Sequence, residues 1–306
     1  MSSKANRIVC VGHTALDRVF RVPSWPATSA KIKAHSYRET GGGMAANAAA
    51  ASAQLGGAVE FWGPAGDDRI ADLMSAELQR LGVDTGGLQR IAGCESSHSA
   101  ILVDDRGERL IIGIRGKALE SSGDWLPIER VEFATAVLAD VRWPAGARRV
   151  MVAAREWGVP TILDADVAEP PTLHELVGLA DYAVFSEQGL EAFAGRADHH
   201  ALEQALASGA RIAVVTRGSE GIDWIAGAAP PIVRHMPAHP IDSVVDTTGA
   251  GDVFHGAFAL AIAEAQPLEL ALRFGIIAAS LKCTREGARS APHRAQVDAV
   301  LASAQR

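Results

Sequence analysis

The chain has 306 residues, 48% of them hydrophobic, and a formal net charge of −7. This length and composition suffice for one large core, or for one core with a small appendage. The acidic balance argues against a nucleic-acid partner, which would require a basic face to neutralise phosphates. No uninterrupted apolar stretch approaches the roughly 20 residues that a membrane span needs, so no membrane association is expected.

Three cysteines, Cys10, Cys94 and Cys283, are widely spaced and lie outside any CxxC pattern. An odd number with this spacing is typical of reduced thiols rather than of a disulfide framework. The N-terminal segment shows no basic region followed by an apolar one, which is the pattern of a secretory signal. These features predict a cytoplasmic protein.

Short β-branched runs alternate with amphipathic stretches through most of the chain. The runs predict buried strands at 7–12, 59–63, 136–140, 160–166, 182–187 and 211–218. Helices are predicted at 46–56, 68–82, 145–157, 172–179, 188–195, 200–208, 251–265, 268–284 and 294–303. This alternation predicts a doubly wound α/β fold, with a mainly parallel sheet flanked by helices.

Two segments interrupt the alternation. Residues 13–40 show strand-like alternation broken by two prolines, and residues 98–114 have the pattern of a hairpin around the turn Asp104-Asp105-Arg106-Gly107. Together they predict a small antiparallel β lid over the open edge of a large domain, unless they merely extend the main sheet. An exposed lid edge would also allow two chains to pair as a homodimer. The large α/β domain would then comprise residues 1–12, 41–97 and 115–306.

Polar residues follow each predicted strand after residue 130. They are Asp140 and Arg142, Asp164 and Asp166, Ser186 and Glu187, and Thr216 and Arg217. In parallel α/β sheets, ligands bind outside the carboxyl ends of the strands. The rim formed by these ends is therefore the predicted active site.

The stretch DTTGAGDVFHGAF at 246–258 places small residues directly before an apolar helical run. Gly249, Ala250 and Gly251 have little or no side chain, so their N–H groups can face a ligand, and the helix start adds further donors and a positive dipole end. This predicts an anion cradle for phosphate. Asp252 follows in the first turn and can accept the proton of an attacking hydroxyl. The structural alternative is a helix-stabilising carboxylate after a tight turn.

Two common nucleotide-binding motifs are missing. The sequence contains no G-x-x-x-x-G-K-[ST] loop, and its first strand leads into GHTALD rather than G-x-G-x-x-G. A nucleotide-dependent oxidoreductase is therefore disfavoured.

The segment DTTGAGDVFHGA resembles the C-terminal signature of the ribokinase-like, or PfkB, family of carbohydrate kinases. GGGMAANAAAASAQLGG at 41–57 resembles the glycine-rich sugar motif of the same family, and the resemblance covers essentially the whole chain. It implies a ribokinase-like fold and an ATP-dependent sugar kinase that uses Mg²⁺. The signature threonines and TREGARS at 284–290 resemble segments that enclose adenine and, in many relatives, a monovalent cation such as K⁺.

The resemblance also assigns site residues. Asp252 is implied to be the catalytic base, with Gly249, Ala250 and Gly251 as the anion hole, while His255 is expected to pack rather than catalyse. The sugar-binding residues implied are Asp17, Gly42, Gly43 and Asn47, and the ATP-binding residues implied are Ser186, Thr216, Gly218 and Gly221. By their residue types alone, Asp17 could also be a surface turn residue and Asn47 a helix cap.

One family motif is altered. The N-x-x-E motif that helps to position Mg²⁺ corresponds here to SEQG at 186–189, with Ser186 and Gly189 in place of the Asn and the Glu. Glu187, Asp166 or Asp164 is expected to act on the metal instead, through water.

Within the family, phrases such as CVGHTALDRVF, VLADVRWPAGAR and LKCTREG resemble sulfofructose kinases, which phosphorylate 6-deoxy-6-sulfofructose. Lys31 and Arg142 are the cations available for the distal anion of such a sugar, unless both are solvated rim charges. Fructose 6-phosphate, 2-keto-3-deoxygluconate, fructose and ribose are alternative substrates. The alternative from another class is a non-catalytic sugar- or nucleotide-binding protein of the same fold.

Overall fold

The computed structural model describes residues 6–25, 28–106, 108–227 and 232–304. The strands are β1 (Arg7–Val11), β2 (Ala15–Arg21), β3 (Ser36–Gly42), β4 (Ala58–Gly66), β5 (Val83–Ile91), β6 (Ser97–Val103), β7 (Arg109–Ile114), β8 (Ala136–Asp140), β9 (Thr161–Ala165), β10 (Tyr182–Ser186), β11 (Ile212–Thr216), β12 (Ile222–Ala226) and β13 (Arg234–Met236). The helices are α1 (Met44–Gln54), α2 (Arg69–Arg80), α3 (Pro144–Trp157), α4 (Pro170–Val177), α5 (Glu187–Ala194), α6 (His199–Ala207), α7 (Ala250–Ala263), α8 (Leu268–Lys282) and α9 (Arg294–Ala304).

The main sheet has nine strands in the order β13-β12-β11-β10-β9-β8-β1-β4-β5. All strands from β11 to β5 pair in parallel, while β12 and β13 add an antiparallel edge. Every residue of β8 and β9 is buried, because helices cover both faces of the sheet. The predicted mainly parallel α/β sheet is confirmed.

Each face of this sheet has its own hydrophobic core. Ile8 of β1 faces a core built with α1, α7 and α8, whereas the adjacent Val9 faces a core built with α3 to α6. Successive side chains of a strand point to opposite faces, so one short apolar strand contributes to both layers. In the described residues, no helix has the length and apolar character required to cross a membrane.

A separate four-stranded sheet has the order β3-β2-β6-β7. The pairs β2–β3 and β6–β7 are antiparallel, and a parallel β2–β6 pairing joins them. The four strands lie in the two segments predicted to form a lid, except that β3 continues to Gly42 and β6 begins at Ser97, and they do not extend the main sheet. Of the predicted hairpin turn, Gly107 lies outside the described residues, while the Asp104 carboxylate accepts the amides of Arg106 and Glu108 at 2.9 Å each.

Helices α1 and α7 pack closely because small residues line their contact. A Cβ atom added at Gly256 of α7 would lie 2.3 Å from the carbonyl oxygen of Ala48, and the Ser52 hydroxyl donates a 2.7 Å hydrogen bond to the Gly256 carbonyl. At Gly251, in the exposed first turn of the same helix, an added Cβ would meet open space. A methyl group therefore has no room at Gly256 but has room at Gly251.

We expect Gly256→Ala to lower the free energy of unfolding by about 1–3 kcal/mol, because the methyl group forces α7 away from α1. Gly251→Ala is the matched control, and its gain in helix propensity, at most roughly 1 kcal/mol, should leave stability equal or higher. Urea unfolding of both variants measures the difference. Equal stabilities would contradict the close packing of the two helices.

Candidate active site

Helix α7 begins in a conformation that only glycine adopts easily. Gly249 has φ 77°, in the left-handed region, and an added Cβ would lie 2.6 Å from the Ala288 carbonyl oxygen. The Ala250 amide donates to Thr247, so this predicted cradle donor is already used. In the described part of the chain, the amides of Gly251 and Asp252 have no acceptor. They are the donors that an incoming anion would meet.

Asp252 lies in the first turn of α7 and is partly exposed. Its Oδ2 accepts a 2.7 Å hydrogen bond from Nδ2 of Asn47. Burial raises the pKa of Asp252 and the nearby Asp164 raises it further, while the Asn47 hydrogen bond and His255 oppose the shift, leaving the pKa at about 7. A carboxylate with a near-neutral pKa is well matched to accept a proton from an alcohol.

Arg289 sets the orientation of the Asn47 amide. Its Nε donates to Asn47 Oδ1 at 2.9 Å, so Nδ2 of the same amide is directed to Asp252, and its Nη2 donates to the Gly42 carbonyl at 3.0 Å. The Arg289 side chain is 4% exposed, and its guanidinium pairs with Glu77 at 3.4 Å. A Cβ at Gly41 would lie 1.8 Å from Arg289 Nη1, so a side chain at this position would displace the guanidinium.

Arg289 is a site residue that the sequence analysis missed. It lies in the segment 284–290, which was expected to enclose adenine, yet its side chain contacts the sugar motif. No spacing signal links it to Asn47, which is 242 positions away.

The residues predicted to bind sugar converge next to this network. Asp17 Oδ1 accepts a 2.6 Å hydrogen bond from the Ser99 hydroxyl across the β2–β6 pairing. A Cβ at Gly42 would lie 2.3 Å from Asp17 Oδ2, so these two predicted residues are in contact. Gly43 has φ 93° and approaches the His13 carbonyl in the same way. Asp17, Gly42, Gly43 and Asn47 therefore surround one region, which ends at Asp252.

The buried Asp140 fixes the backbone under this region. Its carboxylate accepts the amides of His13, Ala45 and Arg142 at 2.8, 3.0 and 2.9 Å. These bonds tie the end of β1 and the start of α1 to the end of β8. The imidazole Nε2 of His13 is buried without a hydrogen-bond partner in the described residues, and burial lowers the pKa of His13. His13 is thus a second polar group that the sequence analysis missed.

Predicted residues for sugar, metal and ATP meet in one network on the rim. Arg142 Nη2 donates to Asp166 Oδ2 at 2.9 Å, and the Ser186 hydroxyl donates to Asp166 Oδ1 at 2.8 Å. Ser186 also caps α5, because its hydroxyl accepts the Gly189 amide at 2.9 Å. Arg142 is therefore partnered by a carboxylate. Lys31 is exposed in the coil between β2 and β3, and within the described ranges no hydrogen bond or ion pair links it to the site.

A cavity of about 610 Å³ extends from the end of β11 to the start of α7. Its lining includes Thr216, Gly218, Gly221, Gly251, Phe254 and Ile276. This volume falls in the range of cofactor pockets, and the lining mixes apolar side chains with polar ones such as Ser219, His239 and Ser280. Three of the four residues predicted to bind ATP, Thr216, Gly218 and Gly221, thus share one cavity with Gly251 of the predicted anion hole, whereas Ser186 is not part of its lining.

Two of the three carboxylates predicted to act on the metal are paired with arginines. Glu187 accepts a 2.8 Å hydrogen bond from Arg217, and Asp166 is held by Arg142. Across the part of the chain that the structure describes, no three His, Cys, Asp or Glu side chains form a group that could hold a metal ion. Mg²⁺ in nucleotide sites is held largely by phosphates and water with only one or two carboxylates, so these residues fit a nucleotide-borne metal rather than a pre-formed cage.

His255 and Asp164 lie beneath the rim. Both side chains are 5% exposed, and His255 Nε2 lies 3.5 Å from Asp164 Oδ1. Burial lowers the pKa of His255, whereas burial and the neighbouring Asp166 and Asp140 raise the pKa of Asp164 well above its usual range. The environment of His255 is that of a packed side chain.

Comparison with known proteins agrees with this geometry. A profile described as pfkB family carbohydrate kinase matches residues 5–294. The ribokinase of Bacillus subtilis (strain 168) is 29% identical over 304 residues, which cover 96% of this chain and 99% of the relative. An ATP-dependent ribose-1-phosphate kinase from Halopiger xanaduensis is 30% identical over 305 residues, covering 96% and 98%.

Solved structures of carbohydrate kinases are also similar to this chain over nearly its whole length. A protein from Agrobacterium tumefaciens matches with a TM-score of 0.92 and 35% identity over 99% of both chains. Arabidopsis thaliana ribokinase, solved with ribose and ATP, matches with a TM-score of 0.85 and 28% identity over 97% of this chain and 99% of that one. The chain therefore belongs to the pfkB family of carbohydrate kinases and is a sugar kinase with the ribokinase-like fold.

Proposed function

We propose that this chain transfers the terminal phosphoryl group of ATP to a primary hydroxyl of a sugar, with Asp252 as the general base. The observation that carries the proposal is the position of this carboxylate. It lies beside amide donors without acceptors, next to a wall of the 610 Å³ cavity, and Asn47 joins it to the sugar motif. The relative from Arabidopsis thaliana, which was solved with ribose and ATP, supports the same pair of substrates.

In the proposed reaction, the Asp252 carboxylate acts on the sugar and the backbone amides beside it act on the phosphoryl group. A sugar held by Asp17, Gly42 and Asn47 would place its hydroxyl at the Asp252 carboxylate, which accepts the proton as the new P–O bond forms. The amides of Gly251 and Asp252 would stabilise the charge on the phosphoryl group in transit. The small sheet from residues 13–40 and 98–114 would close as a lid over the rest of the chain and exclude water.

Mg²⁺ is proposed to enter with the nucleotide, as ribokinase relatives use ATP with Mg²⁺. When bound, the metal supplies positive charge to the phosphate oxygens. Asp166 and Glu187 are the carboxylates proposed to orient its water ligands. Their arginine partners, Arg142 and Arg217, hold both carboxylates at the rim.

We further propose a ribose-type sugar ahead of 6-deoxy-6-sulfofructose. A sulfonate would need an available cation, whereas Arg142 is already bonded to Asp166 and Lys31 is exposed. The curated relatives include ribokinases, a ribose-1-phosphate kinase and deoxyribokinases, which supports a pentose. Sulfofructose and the other hexose-derived sugars are the competing substrates.

ADP release measured with ribose, deoxyribose, fructose, fructose 6-phosphate, 2-keto-3-deoxygluconate and 6-deoxy-6-sulfofructose tests the function and the substrate together. We expect the highest kcat/KM with ribose, a loss of about 1000-fold in kcat for Asp252→Asn, and a loss of kcat in Gly251→Ala. Arg142→Ala should change KM by less than about threefold for a neutral sugar and also for a sulfonated one, because the guanidinium is already bonded to Asp166.

The outcomes separate the alternatives. If turnover is highest with sulfofructose and falls in Arg142→Ala, the anionic sugar would replace ribose as the proposed substrate. Near-normal kcat in Asp252→Asn would remove this residue as the base. Sugar binding without ADP release from any substrate would favour the non-catalytic binding protein.

The near-neutral pKa of Asp252 predicts a pH dependence. The ionised carboxylate, which is the basic form, is lost as the pH falls through about 7, so kcat/KM should decline below that pH. Asn47→Ala removes a hydrogen bond that lowers the pKa, so the acid limb of its kcat/KM profile should move to higher pH. Asn6→Ala, at the only other asparagine of the sequence, is the control and should leave the limb in place. If the acid limb of the Asn47→Ala profile stays at the wild-type pH, the group that titrates in this limb is not Asp252.

We also propose that two copies of the chain pair through β7. This strand is an edge of the small sheet, and Leu110, Ile111, Ile112 and Ile114 on it are 45%, 61%, 60% and 52% exposed. Consecutive residues face opposite sides, so both faces of an unpaired edge are apolar, an arrangement that a second copy of the strand would cover.

Light scattering should therefore report a dimer, and Ile112→Glu should give a monomer. Val152→Glu, at a 40% exposed valine of α3, is the control that should stay dimeric. A monomeric wild-type chain would contradict this pairing.

A further inference from the structure

Lys282, the last residue of α8, is fully buried at 0% exposure. Its Nζ donates to the carbonyl oxygen of Asp246 at 2.5 Å and lies 3.4 Å from the carbonyl oxygen of Arg285. Removing an ammonium group from water is costly unless oxygen atoms replace its hydration. The interior of the protein thus holds a positive charge between two backbone segments.

These two segments are the threonine loop, Asp246–Thr248, and the C-terminal loop, residues 283–287. The Asp246 carboxylate accepts the amide and the hydroxyl of Thr248 at 2.9 and 2.7 Å, and the Gly287 amide at 3.0 Å. The amides of Val245 and Asp246 donate to the Cys283 carbonyl at 2.8 and 3.2 Å. Lys282 therefore lies at the junction of a densely bonded pair of loops.

The Asp246 carboxylate is ionised at neutral pH. Burial raises its pKa, but the hydrogen bonds from Thr248 and Gly287 and the charge of Lys282 outweigh burial and bring the pKa to about 2. Arg38, which is 39% exposed, is the other cation nearby, with Nη2 at 3.9 Å from Asp246 Oδ2. Of these two cations, only Lys282 is withdrawn from solvent.

The threonine loop leads directly into the anion cradle. Gly249 follows Thr248, and the Ala250 amide donates to the Thr247 carbonyl. A displacement of the loop would therefore displace the first turn of α7, including the free amides of Gly251 and Asp252. The two Lys282 contacts described above are with backbone carbonyls outside the first turn of α7, so we expect its effect on catalysis to pass through the backbone.

Two backbone carbonyls at one positive charge, with an ionised carboxylate that interacts with it electrostatically, resemble the oxygen environment that K⁺ or Na⁺ takes in proteins. The sequence leaves open a monovalent cation such as K⁺ beside these same segments. We propose that the ammonium of Lys282 is a covalently attached substitute for that ion, which holds the threonine loop and the cradle in place so that catalysis needs no dissolved monovalent cation. The inference rests on the proposed kinase function and assigns Lys282 as a positioning residue.

The first test is a titration of the wild-type enzyme with K⁺ and Na⁺ in tetramethylammonium buffer at constant ionic strength. We expect kcat and the KM for ATP to stay within about twofold, since screening is held constant. Activation of several-fold by K⁺ or Na⁺ would overturn the proposal.

The second test removes the charge. Lys282→Met retains an unbranched side chain and should lose about tenfold or more in kcat, with little change in the KM for sugar. Lys117→Met, at an exposed lysine, is the control and should behave as wild type. In Lys282→Ala, K⁺ or methylammonium should restore part of the lost kcat, an effect that a purely structural lysine would not show.

Wild-type kcat in Lys282→Met, or a folded but inactive Lys282→Ala that no cation restores, would overturn the proposal. Urea unfolding checks that both variants fold, and the wild-type titration decides if they do not. Absence of turnover with every sugar would instead contradict the proposed function. The cation titration can then be read from the binding of a fluorescent ADP analogue, which should be unaffected by K⁺.

Discussion

The hydrogen bond between the Asn47 amide and the Asp252 carboxylate is the contact on which the rest of the site depends. It joins α1, which carries the sugar motif, to α7, which carries the anion cradle, and it spans 205 positions of sequence. The amide reaches the carboxylate only because Gly256 and the alanines of α1 let the two helices approach closely. Arg289 then removes the remaining freedom of the amide by holding its oxygen.

Four aspartates lie at or under the rim, and their surroundings give them different properties. Asp140 is satisfied by three backbone amides and acts as a structural junction. Asp166 is neutralised by Arg142, whereas Asp164 is buried with a raised pKa. For Asp252, burial raises the pKa and the hydrogen bond from the Asn47 amide opposes this shift, so that its pKa is about 7. The same side chain thus serves as anchor, ion-pair partner or proton acceptor according to what faces it.

The sequence could predict those parts of the molecule that local composition determines. The buried parallel strands are continuous apolar runs, and the cradle requires consecutive small residues before an apolar helix. Strand β5 was missed because Gly86 and Gly87 interrupt its pattern at an exposed edge, and β12 and β13 were missed because they form the antiparallel edge. Long-range partners could not be predicted, since the contact of Arg289 with Asn47 and the pairing of Arg142 with Asp166 depend on tertiary packing. The burial of Lys282 could not be predicted from the sequence either, because a lysine in the last turn of a helix is usually solvated.

The packing of α7 and α8 also has a consequence for biosynthesis. One hydrophobic face of the main sheet, including Ile8 and Phe61 from early strands, packs against α1 and against these two late helices. During translation α1 can cover part of this face early, but the rest has no cover until α7 and α8 leave the ribosome. The nascent chain is therefore expected to pass through a stage in which part of this apolar layer is exposed to solvent.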